Sequence, residues 1–135
     1  MTINKILLFV EPNTDIEPIS QFAVKLAKRH DARLIALSIV KCPTPEIKSR
    51  SEEQAWKRLY EIEEDAFETD IKISLLLEEL EPINQHTLTQ KLIDLTFTFQ
   101  IDMVIISNQA KINLKNLTNE ITIPIIVVPE SKSIK

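Results

Sequence analysis

Five short apolar runs are spaced along the chain and separated by polar segments. They lie at residues 5–10, 33–40, 71–77, 103–106 and 123–128. A continuous apolar run of about four to eight residues is typical of a strand that is buried on both faces of a parallel sheet. The run at 71–77 alternates at first and then becomes fully apolar, which also indicates a strand. The pattern therefore predicts five strands.

The segments between these runs carry apolar residues at helical spacing. In the first segment Ile19, Ala23 and Leu26 share one face, and the preceding acidic residues Asp15 and Glu17 favour a helix N-terminus. Two further helices are predicted from apolar positions three or four residues apart, namely Ala55, Leu59, Ile62 and Ala66, and then Leu88, Leu92, Leu95 and Phe99. A shorter fourth helix is expected at residues 111–120, with a buried side formed by Leu114, Leu117 and Ile121.

Strands that alternate with helices imply parallel pairing through right-handed crossovers. The predicted fold class is therefore α/β, in which one domain spanning residues 1–135 places a five-stranded parallel sheet between two helical layers. Ligands of such sheets bind beyond the carboxyl ends of the strands, where the strand order reverses. The segments that follow strands, 11–15, 41–45, 78–82 and 107–111, are the places where a site is expected.

The chain of 135 residues contains no glycine, whereas about 7% is average for soluble proteins. Glycine lets the backbone approach a phosphate closely, so a glycine-rich phosphate loop cannot be built here in its usual form. Helices that end in a left-handed residue must also use another side chain. We expect Asp31 to take that conformation after the first helix and Gln100 or its neighbour after the third.

The charge and cysteine content narrow the possible partners. The net charge is −4 and the isoelectric point is near 5.2. The chain therefore lacks the excess of basic residues that is typical of proteins that bind nucleic acid or an anionic membrane. The longest early apolar run has five residues, too short for a signal peptide or a membrane span. The single Cys42 cannot form an internal disulfide, which agrees with a reducing compartment. We expect a cytoplasmic protein.

The loops exclude two familiar chemistries of this architecture. The loop after the first strand contains Pro12, which has no N–H, and three carboxylates that would repel the phosphate of a flavin. A phosphate-accepting receiver domain would need an Asp after the third strand and a Lys after the fifth. Those strands end instead in Leu77-Glu78 and Val128-Pro129.

The remaining chemically distinctive side chains suggest no catalytic or metal site. His30 and His86 lack metal-ligating neighbours and are expected on helix surfaces. Cys42 is expected to be inert and partly buried, the alternative being a thiol made reactive by a nearby cation. Trp56 and Tyr60, four residues apart on the second helix, are expected at the edge of the core or on a partner surface.

The loop at 107–111 is the best remaining candidate for an anion site. Ser107, Asn108 and Lys111, with Lys115 one turn later, could present side-chain donors and two cations beside a helix N-terminus. The alternative is a polar connection whose lysines are simply solvated. The sequence leaves both open.

The last strand suggests an interface. It forms an apolar row of Ile125, Ile126, Val127 and Val128 without an inward charge. At a sheet edge such a row invites pairing with another chain, although Pro124 and Pro129 limit its length. Either this strand is covered or the protein is a dimer.

Four stretches resemble the universal stress protein family. They are residues 5–11 (KILLFVE), the first helix running into residues 27–34 (AKRHDARL), residues 101–107 (IDMVIIS) and residues 123–129 (IPIIVVP). Together they span most of the chain in the order found in the family. The resemblance implies a Rossmann-like sheet of order 3-2-1-4-5 and dimerisation through the fifth strand.

The chain departs from the family at the nucleotide site. Members that bind ATP carry a motif after the fourth strand: Gly, two residues, Gly, nine residues, then Gly and Ser or Thr. The corresponding residues 107–119 have none of these glycines and are several residues too few. Glu11 stands where the family usually has Asp, and the Glu-Pro-Asn opening is similar to that of the tandem-domain, E-type branch, which lacks the motif. The resemblance therefore implies no ATP cofactor.

We expect a non-catalytic stress-response or regulatory protein, homodimeric and acting through protein partners. One alternative is a degenerate ATP- or AMP-binding protein, or a weak ATPase, whose phosphate contacts come from the side chains of Ser107, Asn108, Lys111 and Thr118. Another is a pocket for an apolar or anionic metabolite among Glu11, Val40, Cys42 and Ser107. The candidate cofactor-binding residues of a degenerate pocket are thus Glu11, Val40, Ser107, Asn108 and Lys111.

Overall fold

The computed structural model describes residues 2–11, 16–41 and 44–129. The described elements are, in chain order, β1 (Lys5–Val10), α1 (Ile16–His30), β2 (Arg33–Val40), α2 (Pro45–Thr69), β3 (Ile73–Glu79), α3 (Gln85–Thr98), β4 (Met103–Ser107), α4 (Leu114–Glu120) and β5 (Ile125–Val128). Within these ranges no helix is both long and apolar enough to cross a membrane.

The five strands form one parallel sheet in the order β3-β2-β1-β4-β5. This confirms the α/β class and the strand order that the family resemblance implied. The strand order reverses at β1, since β2 and β3 lie on one side of it and β4 and β5 on the other. The carboxyl ends of β1 and β4 therefore flank the place where this architecture binds ligands.

Each face of the sheet carries a core. Alternate residues of β1 supply the two faces: Leu8 packs with α1 and α2, and Leu7 packs with α3 and α4. Both leucines are fully buried, and burial of such a side chain stabilises a fold by about 1.5–3 kcal/mol. The near-continuous apolar runs of β1, β2 and β4 follow from this two-sided burial.

Three helices end with a non-glycine residue in the left-handed region. Asp31 has φ 53° after α1 and Gln100 has φ 56° after α3, as predicted. Asp70 does the same after α2 with φ 62°, which the sequence analysis did not anticipate. In each turn the residue after the left-handed one donates its N–H to a carbonyl in the last turn of the helix. After α3, for example, the N–H of Ile101 donates to the carbonyl of Thr96 at 2.9 Å.

The predicted strand at 71–77 is displaced by two residues. Ile71 still belongs to the helix stop, because its N–H donates to the carbonyl of Ala66 at 3.1 Å. The chain joins the sheet only at Ile73, which lies opposite Leu34. The third strand therefore starts and ends two residues later than the hydrophobic pattern suggested.

The fourth helix is shorter than predicted, and one of its expected core residues is exposed. Asn113 caps it by accepting a hydrogen bond from the N–H of Asn116 at 3.1 Å. Leu117 and Ile121 are buried as predicted, but Leu114, the first helical residue, is 41% exposed. Its predicted burial was wrong because the helix starts at this residue instead of three residues earlier.

The outer surfaces of the helices agree with most of the other predictions. His30 and His86 are exposed at helix ends. Trp56 is partly buried against the core and stacks on the exposed Tyr60, with ring centroids 5.6 Å apart, so the pair lies at the edge of the core. Phe99, which was expected in the third helix, is its partly buried C-cap. Cys42 and the loop residues 12–15 lie outside the described residues.

Candidate functional site

A cleft of about 450 Å³ lies at the carboxyl ends of β1 and β2. Its wall is completed by α2, by the start of α3 and by the loop after β4. Its apolar lining consists of Phe9, Ile39, Val40, Ala55, Ile83 and Leu88. Its polar lining consists of Glu11, Ser38, Lys41, Ser51, Gln54, Arg58, Asn84 and Lys111. A concave, largely apolar cleft with a few polar groups is the usual form of a small-molecule site.

The hydroxyl of Ser38 is buried in the wall of this cleft. Ser38 lies near the end of β2 and is 1% exposed. Its Oγ has no hydrogen-bond partner among the residues that the structure describes. A buried hydroxyl without a partner costs about 1–3 kcal/mol, so natural folds usually satisfy such groups. Ser38 is among the residues that line the cleft, and in the ligand-free protein its Oγ is covered by the wall.

Glu11 connects the end of β1 to the loop after β4. Its Oε2 accepts a hydrogen bond from the backbone N–H of Lys111 at 3.3 Å. Burial raises the pKa of the Glu11 carboxyl above its usual 4.5, while the Lys111 N–H and the nearby Lys111 charge lower it less strongly. The ionised form of Glu11 is therefore less stable here than it would be in water.

The loop between β4 and α4 uses its backbone donors internally. The N–H of Asn108 donates to the carbonyl of Val128 at 3.0 Å, and that of Gln109 to the Oγ of Ser107 at 3.0 Å. The N–H of Ala110 donates to the carbonyl of Ser107 at 3.1 Å, and that of Lys111 donates to Glu11. Four consecutive amides thus have acceptors inside the protein.

At the N-terminus of α3, beside the cleft, part of the backbone donors are also already bonded within the protein. Asn84 caps α3 by accepting a hydrogen bond from the N–H of Thr87 at 2.9 Å. In return, the N–H of Asn84 donates to the Oγ1 of Thr87 at 2.9 Å. This reciprocal capping box occupies the N–H groups of Asn84 and Thr87, two of the donors near the start of the helix.

No metal centre is formed by the residues in the described ranges, where no group of three or more His, Cys, Asp or Glu side chains could hold an ion.

Three of the five predicted pocket residues do meet, since Glu11, Val40 and Lys111 all line the cleft.

Comparison with known proteins gives a consistent picture of the fold. No family model matches the sequence, and no curated protein matches it. Solved structures do match. A universal stress protein family member from Burkholderia pseudomallei superposes with a TM-score of 0.76 at 15% identity, covering 94% of this chain and 96% of that one.

Two other structures agree with the first. Universal stress protein UspA from Lactobacillus plantarum has a TM-score of 0.72 at 17% identity, with 95% of this chain and 99% of that one covered. The universal stress protein from Archaeoglobus fulgidus in complex with dAMP has a TM-score of 0.70 at 13% identity, with 95% and 99% covered. This chain has the universal stress protein fold.

The universal stress protein fold of this chain does not bring all the predicted pocket residues together. Ser107 is buried at the end of β4, and Asn108 is exposed in the following loop, and neither lines the cleft. Thr118 lies on α4, where its Oγ1 donates to the carbonyl of Lys115 at 3.0 Å. Cys42, the other metabolite-pocket candidate, lies outside the described residues.

Several polar cleft residues were not predicted from the sequence, among them Ser38, Arg58 and Asn84. Ser38 is embedded in an apolar run, Arg58 lies within α2 away from the strand ends, and Asn84 lies just beyond the segment 78–82 that follows β3. One signal was available for Arg58. Ser51, Gln54, Ala55 and Arg58 follow a three-four spacing along α2, which places them on one helical stripe.

The last strand of the universal stress protein fold is at the sheet edge. β5 pairs with β4, and within the described residues no strand pairs with its other side. Ile125 packs on the α3 side of the sheet, while Ile126 and Val128 pack on the α1 side. Val127 is 38% exposed. Three of the four side chains in this apolar row therefore pack against the core, and Val127 is the most exposed of the four.

Proposed function

We propose that this protein is a non-catalytic regulatory protein of the universal stress protein family, which acts in the cytoplasm as a homodimer and lacks the usual ATP site. The Glu-Pro-Asn opening resembles that of the E-type branch without the glycine motif, and we infer that the chain is nearest to that branch. The observation that carries the proposal is the closed donor set of the loop at residues 108–111.

Phosphate binding in this architecture needs backbone N–H groups that point outward. Here a phosphate would have to compete with Val128, Ser107 and Glu11 for the four amides of the loop. Each intramolecular bond is worth about 0.5–1.5 kcal/mol, so freeing four of them would cost several times that amount. The lysines that remain, Lys111 and Lys115, are exposed, and without the backbone donors their solvated charges alone would hold a phosphate only weakly.

The absence of catalysis is supported by the kind of side chains in the cleft. Among the described residues its lining includes no histidine or cysteine, which are the commonest bases and nucleophiles near neutral pH. Its one carboxylate, Glu11, is already engaged by Lys111. The cleft is therefore better suited to binding than to chemistry.

The homodimer is supported by the position of β5. An edge strand with exposed apolar surface is a template for another chain, and monomeric proteins usually protect such edges with charges. Val127 has no such protection in its own strand, which is Ile-Ile-Val-Val throughout. A second copy of the chain would cover this row.

Calorimetric titration with ATP and magnesium tests the nucleotide part of the proposal. We expect no binding tighter than about 1 mM, because the loop donors are occupied. A dissociation constant of a few micromolar would contradict the proposal. Circular dichroism on the same sample shows that the titrated protein is folded.

Light scattering tests the dimer, which we expect at micromolar concentration. Val127→Lys introduces a charge on the exposed side of β5 and should shift the protein to monomer. It is preferred to Ile126→Lys, which is also expected to weaken the dimer but alters a side chain packed on the core. Gln21→Lys adds the same charge to an exposed position of α1 and should leave the dimer intact. A wild-type protein that is entirely monomeric would refute the dimer.

A second candidate function is nucleotide binding, favoured by the dAMP complex of the Archaeoglobus fulgidus protein. In this case Glu11, Val40 and Lys111 would contact the nucleotide in the cleft. The same calorimeter separates the two functions. Micromolar binding of AMP or dAMP that is lost in Glu11→Ala would favour this alternative.

A further inference from the structure

The charges of the cleft are distributed unevenly around its rim. Glu11 and Lys111 follow the neighbouring strands β1 and β4, and they pair with each other. Lys41 follows β2, and Arg58 lies on the stripe of α2 that faces the cleft. Since α2 packs against β2 and β3, these two cations share the side of the cleft away from Glu11. That side carries a net positive charge from the lining residues.

Ser38 belongs to this positive side. It lies on β2, three residues before Lys41, and its buried Oγ is without a partner in the described structure. Burying a hydroxyl in this way is unfavourable unless a bound group completes it. The hydroxyl therefore marks a contact that the cleft itself does not supply.

The apolar part of the lining gives the rest of the ligand its character. Val40 and Ala55 are buried apolar residues of the lining, on the α2 side of the sheet to which Ser38 also points. They offer a surface for a flat or branched hydrocarbon group. With the loop amides after β4 already bonded, the side chains of Lys41 and Arg58 are the main groups of this side that can recognise an anion, and a carboxylate suits them.

We propose that this cleft binds a small organic carboxylate with an apolar body. The carboxylate lies between Lys41 and Arg58, whose planar guanidinium matches it in geometry. The body lies over Val40 and Ala55, and the Ser38 hydroxyl, on the same face of β2, hydrogen-bonds to the ligand once the wall that covers it shifts. This inference goes beyond the proposed function and does not depend on the dimer, but it shares with the proposed lack of an ATP site the bonded amides of the loop after β4.

Phenylacetate and indole-3-acetate are suitable probes, each paired with its uncharged amide. Calorimetry should give dissociation constants of about 10–500 µM for the acids, in line with ligands of this size. Each amide has the same shape without the charge, and it should bind about tenfold more weakly or worse. Amide NMR signals of Ser38, Ile39 and Val40 should shift on titration with either acid.

Three variants locate the contacts. Arg58→Gln should weaken binding of both acids by about tenfold. Lys57→Gln is the matched control, because it removes the same charge from the adjacent, exposed position of α2 outside the lining, and it should change affinity by less than about twofold. Ser38→Ala should weaken binding by about three- to tenfold, which corresponds to one hydrogen bond.

Several results would overturn the inference. They are no binding of either acid at about 5 mM, equal affinity for acid and amide, and equal effects of Arg58→Gln and Lys57→Gln. Displacement of phenylacetate by micromolar AMP would also overturn it, since the cleft would then be a nucleotide site. Micromolar binding of MgATP contradicts the proposed function, whereas equal binding of acid and amide contradicts only this inference.

Discussion

Replacing Ser38 by alanine should make the ligand-free protein more stable. The substitution removes a buried oxygen that has no partner among the described residues and leaves the strand and its neighbours in place. Among the described residues, folding of the wild-type chain replaces none of the hydrogen bonds that water makes to this hydroxyl. The variant avoids that cost.

The size of the effect can be worked out from the burial and the missing bond. An unsatisfied buried hydroxyl costs about 1–3 kcal/mol, and the loss of one atom from the packing offsets part of the gain. We therefore expect the free energy of unfolding to rise by about 1 kcal/mol. For a domain of this size that is about 4 °C in the midpoint of thermal unfolding.

Thr89 provides the opposite case. It is fully buried, and its Oγ1 donates to the carbonyl of Gln85 at 2.6 Å and accepts from the N–H of Asn113 at 2.9 Å. Thr89→Val keeps the shape but leaves the Asn113 N–H without its acceptor. We expect the free energy of unfolding to fall by about 2 kcal/mol.

Urea denaturation followed by circular dichroism measures both changes, and the slope with urea should be the same in all three proteins. A fall of about 1 kcal/mol or more in the free energy of unfolding of Ser38→Ala would contradict this prediction. It would mean that the hydroxyl makes a hydrogen bond in the free protein. Equal effects of the two substitutions would refute it as well. The expected result is an alanine variant that gains stability and loses affinity for the organic acids.

Two other predictions concern the helix stop after α3 and the buried carboxylate. Gln100→Gly should raise the free energy of unfolding by about 0.5–1 kcal/mol, because Gln100 has positive φ, whereas Gln90→Gly in the middle of α3 should lower it by about 1 kcal/mol; two losses in urea denaturation would contradict this. Glu11 holds its proton more tightly in the folded state than in the unfolded chain, so stability falls as pH rises above 4.5. Glu11→Gln should therefore stabilise the protein at pH 7 and lose this advantage near pH 4, and an equal gain at both pH values would argue against it.

Much of the fold could be predicted because burial on both faces leaves a strong record in the sequence. The runs that became β1 and β2 have the predicted bounds, since every residue from Ile6 to Val10 and from Leu34 to Val40 is buried. Helix ends were harder to place. The exposed Leu114 and the late start of β3 both depend on where a neighbouring cap or stop falls, and hydrophobic spacing does not report that.

The candidate site was only partly predictable. Glu11, Val40 and Lys111 were expected because residues that follow parallel strands meet at one edge of the sheet. Arg58 and Asn84 enter the cleft through the packing of whole helices, which depends on helix position and rotation. Ser38 could not be predicted as a cleft residue. A serine within an apolar run gives no sign that its hydroxyl is without a partner among the described residues.

The central place of β1 in the sheet affects how the protein is made in the cell. One side of β1 pairs with β2, which leaves the ribosome soon after it, but the other side waits for β4. The junction between β1 and β4 is held by the carboxylate of Asp102, which accepts the N–H of Asn4, 98 positions earlier, at 2.8 Å. At about 5–20 residues per second, translation leaves this flank of β1 uncovered for several seconds. The nascent chain therefore passes through a stage with an open apolar edge, and slow translation between β2 and β4 would prolong its exposure to aggregation.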